Sequence, residues 1–249
     1  MRSEDAVHTD LVLKLYAGRQ LDFNDLSGYQ KLEKHDLEGD FKTAPIIVRT
    51  NRERFTLNHF RSIQFAQITG QVVIRWRAKH SHWEQRPLAQ GDEDRAMLDP
   101  AFFEYFVMGA PGHIFETLNR DKRCVNGTRF TYHSLSLISE QRDYVNLKLR
   151  HVIPGDVITL AECPYSVNVT LIDEQSDTTK TRQWRHVTLV SGKVVVPILP
   201  HRVDSRKKKH TPIPGNLWSK PSRVIITPNF PLTSAFAITV DKAQGMTLD

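Results

Sequence analysis

Behind the apolar run Ala235-Phe-Ala-Ile-Thr-Val the sequence continues Asp241-Lys-Ala-Gln-Gly-Met-Thr. Thr239, Lys242 and Thr247 offer two hydroxyls and one positive charge, and Gly245 lets backbone N–H groups approach a ligand closely. Those groups can hold a phosphate by hydrogen bonds and a single charge. The plainer alternative is a strand-to-helix turn carrying a solvated lysine. A second cluster, Arg49, Thr50, Asn51 and Arg52, follows Ala44-Pro-Ile-Ile-Val. It reads either as a helix cap flanked by two surface arginines or as a set of anion contacts. A third, Asn126-Gly-Thr-Arg, is a turn pair that requires positive φ and opens a strand, with Thr128 and Arg129 as its polar side chains.

Other apparent motifs do not assemble. Leu171-Ile-Asp-Glu imitates a strand ending in Mg²⁺-managing carboxylates, but no G-x-x-x-x-G-K-[ST] loop precedes it. His80 and His82 have the spacing of a metal pair and no converging third ligand, so no metal site is expected. Cys124 and Cys163 are too few for a disulfide scaffold or a thiolate zinc site, which fits a reducing compartment.

The elements that must carry these side chains can be read from periodicity. Ile46, Ile47 and Val48 form a short branched apolar run ending in Thr50-Asn51, the pattern of a buried parallel strand. Arg52 to Ile68 keeps Phe55, His59, Ile63 and Ala66 on one face, so a helix follows. Strand, polar loop and helix is the unit that presents ligands at strand C-termini. Val72-Val-Ile-Arg-Trp predicts another strand, and Ser81 to Asp99 a polar loop. Phe130–Leu137, Val145–Leu149, Val157–Leu160 and Val167–Ile172 alternate apolar and polar residues, a small-barrel grammar. Val187 to Pro197 predicts a hairpin turning at Ser191-Gly192. Upstream, Thr9 or Asp10 is placed to start a helix that Gly18 stops, and Asp22 to Leu32 predicts a second short helix.

At 249 residues, with 39% hydrophobic and 25% charged residues, the chain has the composition of a folded protein. No apolar run reaches the roughly 18 residues needed to span a bilayer, and the first residues lack the apolar core of a signal peptide. An intracellular setting, nuclear in a eukaryote, is expected, with no membrane partner. The net charge of +6 is uneven: residues 1–48 hold six basic and nine acidic side chains, residues 201–249 eight and three. The basic C-terminal end, including Arg206-Lys-Lys-Lys-His, suits a polyanion or a solvated linker. Trp184 and Trp218 lie near basic residues and offer stacking surfaces or packing.

Three segments taken together resemble one family. Ala44-Pro-Ile-Ile-Val-Arg-Thr-Asn-Arg-Glu-Arg is similar to helicase motif IV. Val107-Met-Gly-Ala-Pro followed by Val125-Asn-Gly-Thr-Arg resembles the GAP and NGT signature of superfamily 1B DNA helicases. Phe230 to Leu248 resembles their motif V, A-x-T-[IV]-x-K-x-Q-G-x-T-L, with Lys242, Gln244, Gly245 and Thr247 at its spacing. The family is that of the Pif-one and RecD-like helicases.

The resemblance implies an α/β fold: a second RecA-like helicase domain, with a parallel sheet and flanking helices, carrying an inserted SH3-like small β barrel. It implies a helical lead-in over 1–40, RecA-like parts over 41–124 and 222–249, and the barrel with its basic linker over 125–221. Single-stranded DNA is the implied partner, contacted by Asn51, Arg52, Thr128, Arg129, Thr239, Lys242 and Thr247. Arg49, Gln244 and Gly245 would face the nucleotide cleft. ATP and Mg²⁺ serve the intact enzyme, a 5′-to-3′ motor of the kind used in DNA repair and recombination. Its phosphate loop would lie on a missing N-terminal RecA-like domain. Without that loop or a motif VI arginine, this chain alone is expected not to hydrolyse ATP. Asp241 departs from the family pattern and puts a carboxylate near the expected phosphate track. A non-enzymatic DNA- or protein-binding module derived from a helicase is the alternative. The motor reading requires the strand before Lys242 to lie beside the one ending at Val48.

Overall fold

The computed structural model describes residues 6–20, 22, 24–28, 33, 44–82, 94, 97–121, 124–172, 188–190, 193–200, 211–212 and 224–240. The chain divides into two units, Met1–Ala44 and Pro45–Asp249.

In the first unit, helix α1 spans Ala6–Tyr16, starting earlier than the expected caps, and Gly18 follows it at φ 70°. The expected second helix is not formed at residues 24–28, which make a turn. The Asp22 carboxylate accepts the backbone N–H groups of Asn24 at 2.8 Å and Asp25 at 3.0 Å. An aspartate that captures nearby amides in this way competes with helix formation. Lys14 joins the turn to α1 by bonding Asp10 at 2.8 Å and Asp25 at 2.9 Å.

In the second unit, strand β1 (Ile46–Val48) leads into helix α2 (Asn51–Thr69). Thr50 caps the helix: its hydroxyl accepts the Glu53 N–H at 3.2 Å, and the Glu53 carboxylate accepts the Thr50 N–H at 2.8 Å. These bonds hold the Glu53 carboxyl below its ordinary range. Replacing Thr50 with alanine should lower stability by about 1 kcal/mol in urea unfolding, and an unchanged midpoint would show the cap to be idle. Gly70, at φ 69°, closes the helix in the left-handed region that favours glycine.

Strand β2 (Val73–Arg77) is followed by β3 (Lys79–His82), so the polar stretch expected as a loop begins as a strand. A 3₁₀ turn at Pro100–Phe102 enters β4 (Phe103–Phe106), and β5 (Pro111–Ile114) and β6 (Arg129–Ser136) come next. Helix α3 occupies Ser139–Leu149, where alternation at Val145, Leu147 and Leu149 suggests a strand. Glu, Gln, Arg, Leu and Lys are good helix formers, and a five-residue alternation is too short to outweigh them. Only Val145 of this helix is buried among the described residues; Tyr144, Leu147 and Leu149 are exposed.

The remaining strands are β7 (Val157–Thr159), β8 (Ser166–Leu171), β9 (Thr188–Val190), β10 (Lys193–Ile198), β11 (Thr211–Pro212), β12 (Val224–Thr227), β13 (Leu232–Ser234) and β14 (Ala237–Thr239). The expected hairpin is present, with Val190 opposite Lys193. Strand β2 lies between β4, antiparallel, and β7, parallel. Strand β12 lies between β3 and β11, both antiparallel.

The largest sheet runs β13-β5-β6-β8-β10-β9 and is antiparallel throughout. The expected SH3-like barrel is not shown: among the described residues the terminal strands β13 and β9 pair with no further strand, and no closed barrel is found. The sheet also joins β5 and β13 to strands of 125–221, through the pairing of β5 with β6 and of β13 with β5. The architecture is mixed α/β, with two parallel strand pairs among the described residues. Its core is aromatic: Trp76, Phe102, Phe130, Phe230 and Phe236 are essentially inaccessible, with Trp76 edge-on to Phe230 at 5.6 Å and Phe130 edge-on to Tyr132 at 5.0 Å.

Candidate nucleic-acid interface

The required pairing is present. Strands β1 and β14 run parallel, with Ile46 opposite Ala237, Ile47 opposite Ile238 and Val48 opposite Thr239, and the Ile46 N–H donates to the Phe236 carbonyl at 2.8 Å. Parallel strands end on the same edge. Arg49 to Arg52 therefore leave β1 beside Val240, which leaves β14 towards residue 242. Arg49 and Asn51 are exposed there, at the positive end of the α2 dipole.

Two of the expected contact residues at this edge have protein partners. Arg52 is half-buried and lies 3.6 Å from the Asp99 carboxylate, which is buried and also accepts the Ala101 N–H at 3.0 Å. Thr239 is buried against Val48's strand, so its hydroxyl is withdrawn from the surface. Lys242, Gln244, Gly245 and Thr247 lie outside the described residues, as do Asp241, the Arg206–His210 run, Trp184, Trp218 and the carboxylates of Leu171-Ile-Asp-Glu.

Thr128 and Arg129 are not at this edge. Arg129 opens β6 in the six-stranded sheet and Thr128 directly precedes it; the Thr128 hydroxyl accepts the Val125 N–H at 3.2 Å and closes the Asn126-Gly127 turn, with Gly127 at φ 93°. Arg129 stands opposite His113.

Sequence reasoning missed the residues that secure the edge from behind. Asn58, buried on α2, accepts the Ala237 N–H at 2.8 Å and donates to the Ala237 carbonyl at 3.2 Å. One turn earlier, Arg54 reaches Thr233 at 3.4 Å and lies over the Phe55 ring at 4.6 Å. Burial pushes the Arg54 guanidinium down to about 10, so it stays charged at neutral pH. The fully buried stripe of α2 is Asn58, Ser62 and Ala66. A polar pair three and four residues from Phe55 and Ala66 was the available signal, masked by the apolar choice of His59 and Ile63.

Arg54 and Asn58 also line a cavity of about 70 Å³, shared with Glu104, Tyr132 and Ser234. Glu104 accepts Trp76 Nε1 at 2.7 Å, the Asn229 side-chain amide at 2.8 Å, the Asn229 N–H at 3.0 Å and the Phe230 N–H at 3.0 Å. It thereby fixes the corner that enters β13 and β14.

No protein-family model matches the sequence, and no curated protein matches it. Among solved structures, the chain is similar to Pif1 helicases. The Candida albicans Pif1 helicase shares 13% identity over 98% of this chain and 46% of its own, at a TM-score of 0.47. Bacteroides Pif1, solved with ADP-AlF3 and ssDNA, shares 12% identity over 100% of this chain and 43% of its own, also at 0.47. Bacteroides Pif1 bound to ssDNA shares 11% over 100% and 42%, at 0.45. This chain spans less than half the length of each. No described helix is long and apolar enough to cross a membrane, and no described cluster of His, Cys, Asp and Glu could hold a metal ion.

Proposed function

We propose that this chain is the second motor region of a Pif1- or RecD-like DNA helicase, and that it holds single-stranded DNA along the edge where β1 and β14 end. The parallel pairing of Ile46–Val48 with Ala237–Thr239 carries this reading, because it joins the two segments whose residues match motifs IV and V. On this reading Lys242 and Thr247 contact strand phosphates, Gly245 permits close backbone approach, and Asn51 borders the track. Arg52, tied to Asp99, supports the loop and contributes positive potential.

In the intact enzyme Arg49 would turn to a nucleotide held mainly by another RecA-like domain. Arg49 is the one described member of that set; an exposed arginine suits a phosphate contact and by itself does not make a nucleotide site. No step of phosphoryl transfer is therefore assigned to this chain.

Fluorescence anisotropy with a labelled oligonucleotide tests the DNA reading. Affinity should fall steeply with salt, and Lys242→Ala should weaken binding about fivefold while reducing the salt slope by about 0.7, the loss of one phosphate contact. Salt-independent binding, or an unaltered slope in the variant, would remove the basis for the assignment.

A further inference from the structure

We infer that Asn58 is a positioning residue for the DNA-binding edge, fixing the register of β14 without touching nucleic acid; this rests on the reading above. A strand has two hydrogen-bonding sides. Ile46 takes one side of β14 through the Phe236 carbonyl, and in a parallel ladder Ala237 then points its own N–H and C=O the other way. No third strand meets them among the described residues. The Asn58 amide does, accepting from the N–H at 2.8 Å and donating to the carbonyl at 3.2 Å. A primary amide presents one donor and one acceptor side by side, which a carboxylate, a hydroxyl or an alkyl group cannot match.

The geometry has two effects. It satisfies a buried backbone pair that would otherwise lack partners, and it pins a three-residue strand between β1 and α2. A slip of one residue would turn Thr239 from its buried position to the opposite face and would shift every residue after it. Since α2 begins at Asn51, directly behind Arg49 and Thr50, the helix that follows one side of the edge also sets where the chain leaves β14. Arg54, bonded to Thr233, gives β13 a second, weaker tie to that helix.

Hydrogen exchange and DNA binding together test this in the full chain. In Asn58→Leu, exchange at Ala237 to Thr239 should quicken by about tenfold or more, as expected for two lost hydrogen bonds, with Phe130 and Val169 in the large sheet unaffected. DNA affinity should fall as far as in Lys242→Ala, and adding Lys242→Ala to Asn58→Leu should cost nothing further. Should Asn58→Leu fail to fold, Asn58→Asp, which keeps only the acceptor, should show the same non-additivity with Lys242→Ala. Unchanged exchange at Ala237 to Thr239 overturns the pin. Faster exchange with unchanged DNA affinity, or full additivity with Lys242→Ala, overturns its service to the edge. If the unmodified chain binds no DNA, the binding assignment and this inference about it both fail, and the exchange result separately decides whether the pin exists.

Discussion

Glu104→Ala is expected to destabilise the Pro45–Asp249 unit by about 3 kcal/mol, read from urea unfolding followed by tryptophan fluorescence. The glutamate gathers four N–H donors from three residues: Trp76 on β2, and Asn229 and Phe230 at the corner before β13. Trp76 and Phe230 are buried, so truncation leaves their N–H groups without partners in the core. Each such orphan costs about 1–3 kcal/mol, and water entering from the adjoining cavity offsets part of the total. Burial pushes the Glu104 carboxyl above its ordinary range, against the pull of the four bonds. A raised carboxyl favours the folded state most at low pH. The advantage of the unmodified protein over Glu104→Ala should therefore be widest below the ordinary carboxylate range and should narrow as pH rises through the raised value. A loss under about 1 kcal/mol would mean that the corner is held by packing and not by this carboxylate.

Gly112→Ala should cost about 2–3 kcal/mol, an overpacking penalty in a sheet that has no room for one more methyl. Gly112 stands opposite Phe130 in the β5–β6 pair, and Phe130 is fully buried. A Cβ at position 112 would fall within 2.5 Å of Phe130 Cε2, closer still to Cζ, and 3.0 Å from the Thr233 carbonyl. The ring cannot swing clear, because Tyr132 packs edge-on at 5.0 Å. Phe130→Leu removes the ring and by itself costs about 1–2 kcal/mol from lost burial. The double variant should be more stable than the sum of the two losses implies, because the leucine yields the space that the alanine needs. Thermal unfolding of the four proteins measures this coupling. A Gly112→Ala melting point equal to that of the parent would show that β5 and β6 can separate freely.

Local physics made much of the fold legible. Three branched residues at 46–48, a Thr-Asn pair and a long amphipathic stretch specify β1, the cap and α2 with little help from the rest of the chain. Asn126-Gly127 specifies its turn, because a positive φ is needed there, and Val187 to Pro197 specifies a hairpin. The patterns that misled were short. Alternation over Val145 to Leu149 did not distinguish a strand from the last turns of α3, and Asp22 took for a turn the amides that a helix would have used.

The motif residues were likewise visible as types, and the amino-acid order determined that Arg49 to Arg52 follow a strand, as Lys242 does. What only the tertiary structure decided is which of them share an edge and what holds them there. Thr128 and Arg129 belong to another sheet; Arg52 is committed to Asp99; and Asn58 and Glu104, which no motif marks, tie the strand to its neighbours. Those choices depend on partners far apart in the chain, such as the ion pair of Arg52 with Asp99, 47 residues on, and the hydrogen bonds of Asn58 with Ala237, 179 residues on. Side-chain propensity acts over a few residues, whereas a buried N–H finds its acceptor only after the strands have met.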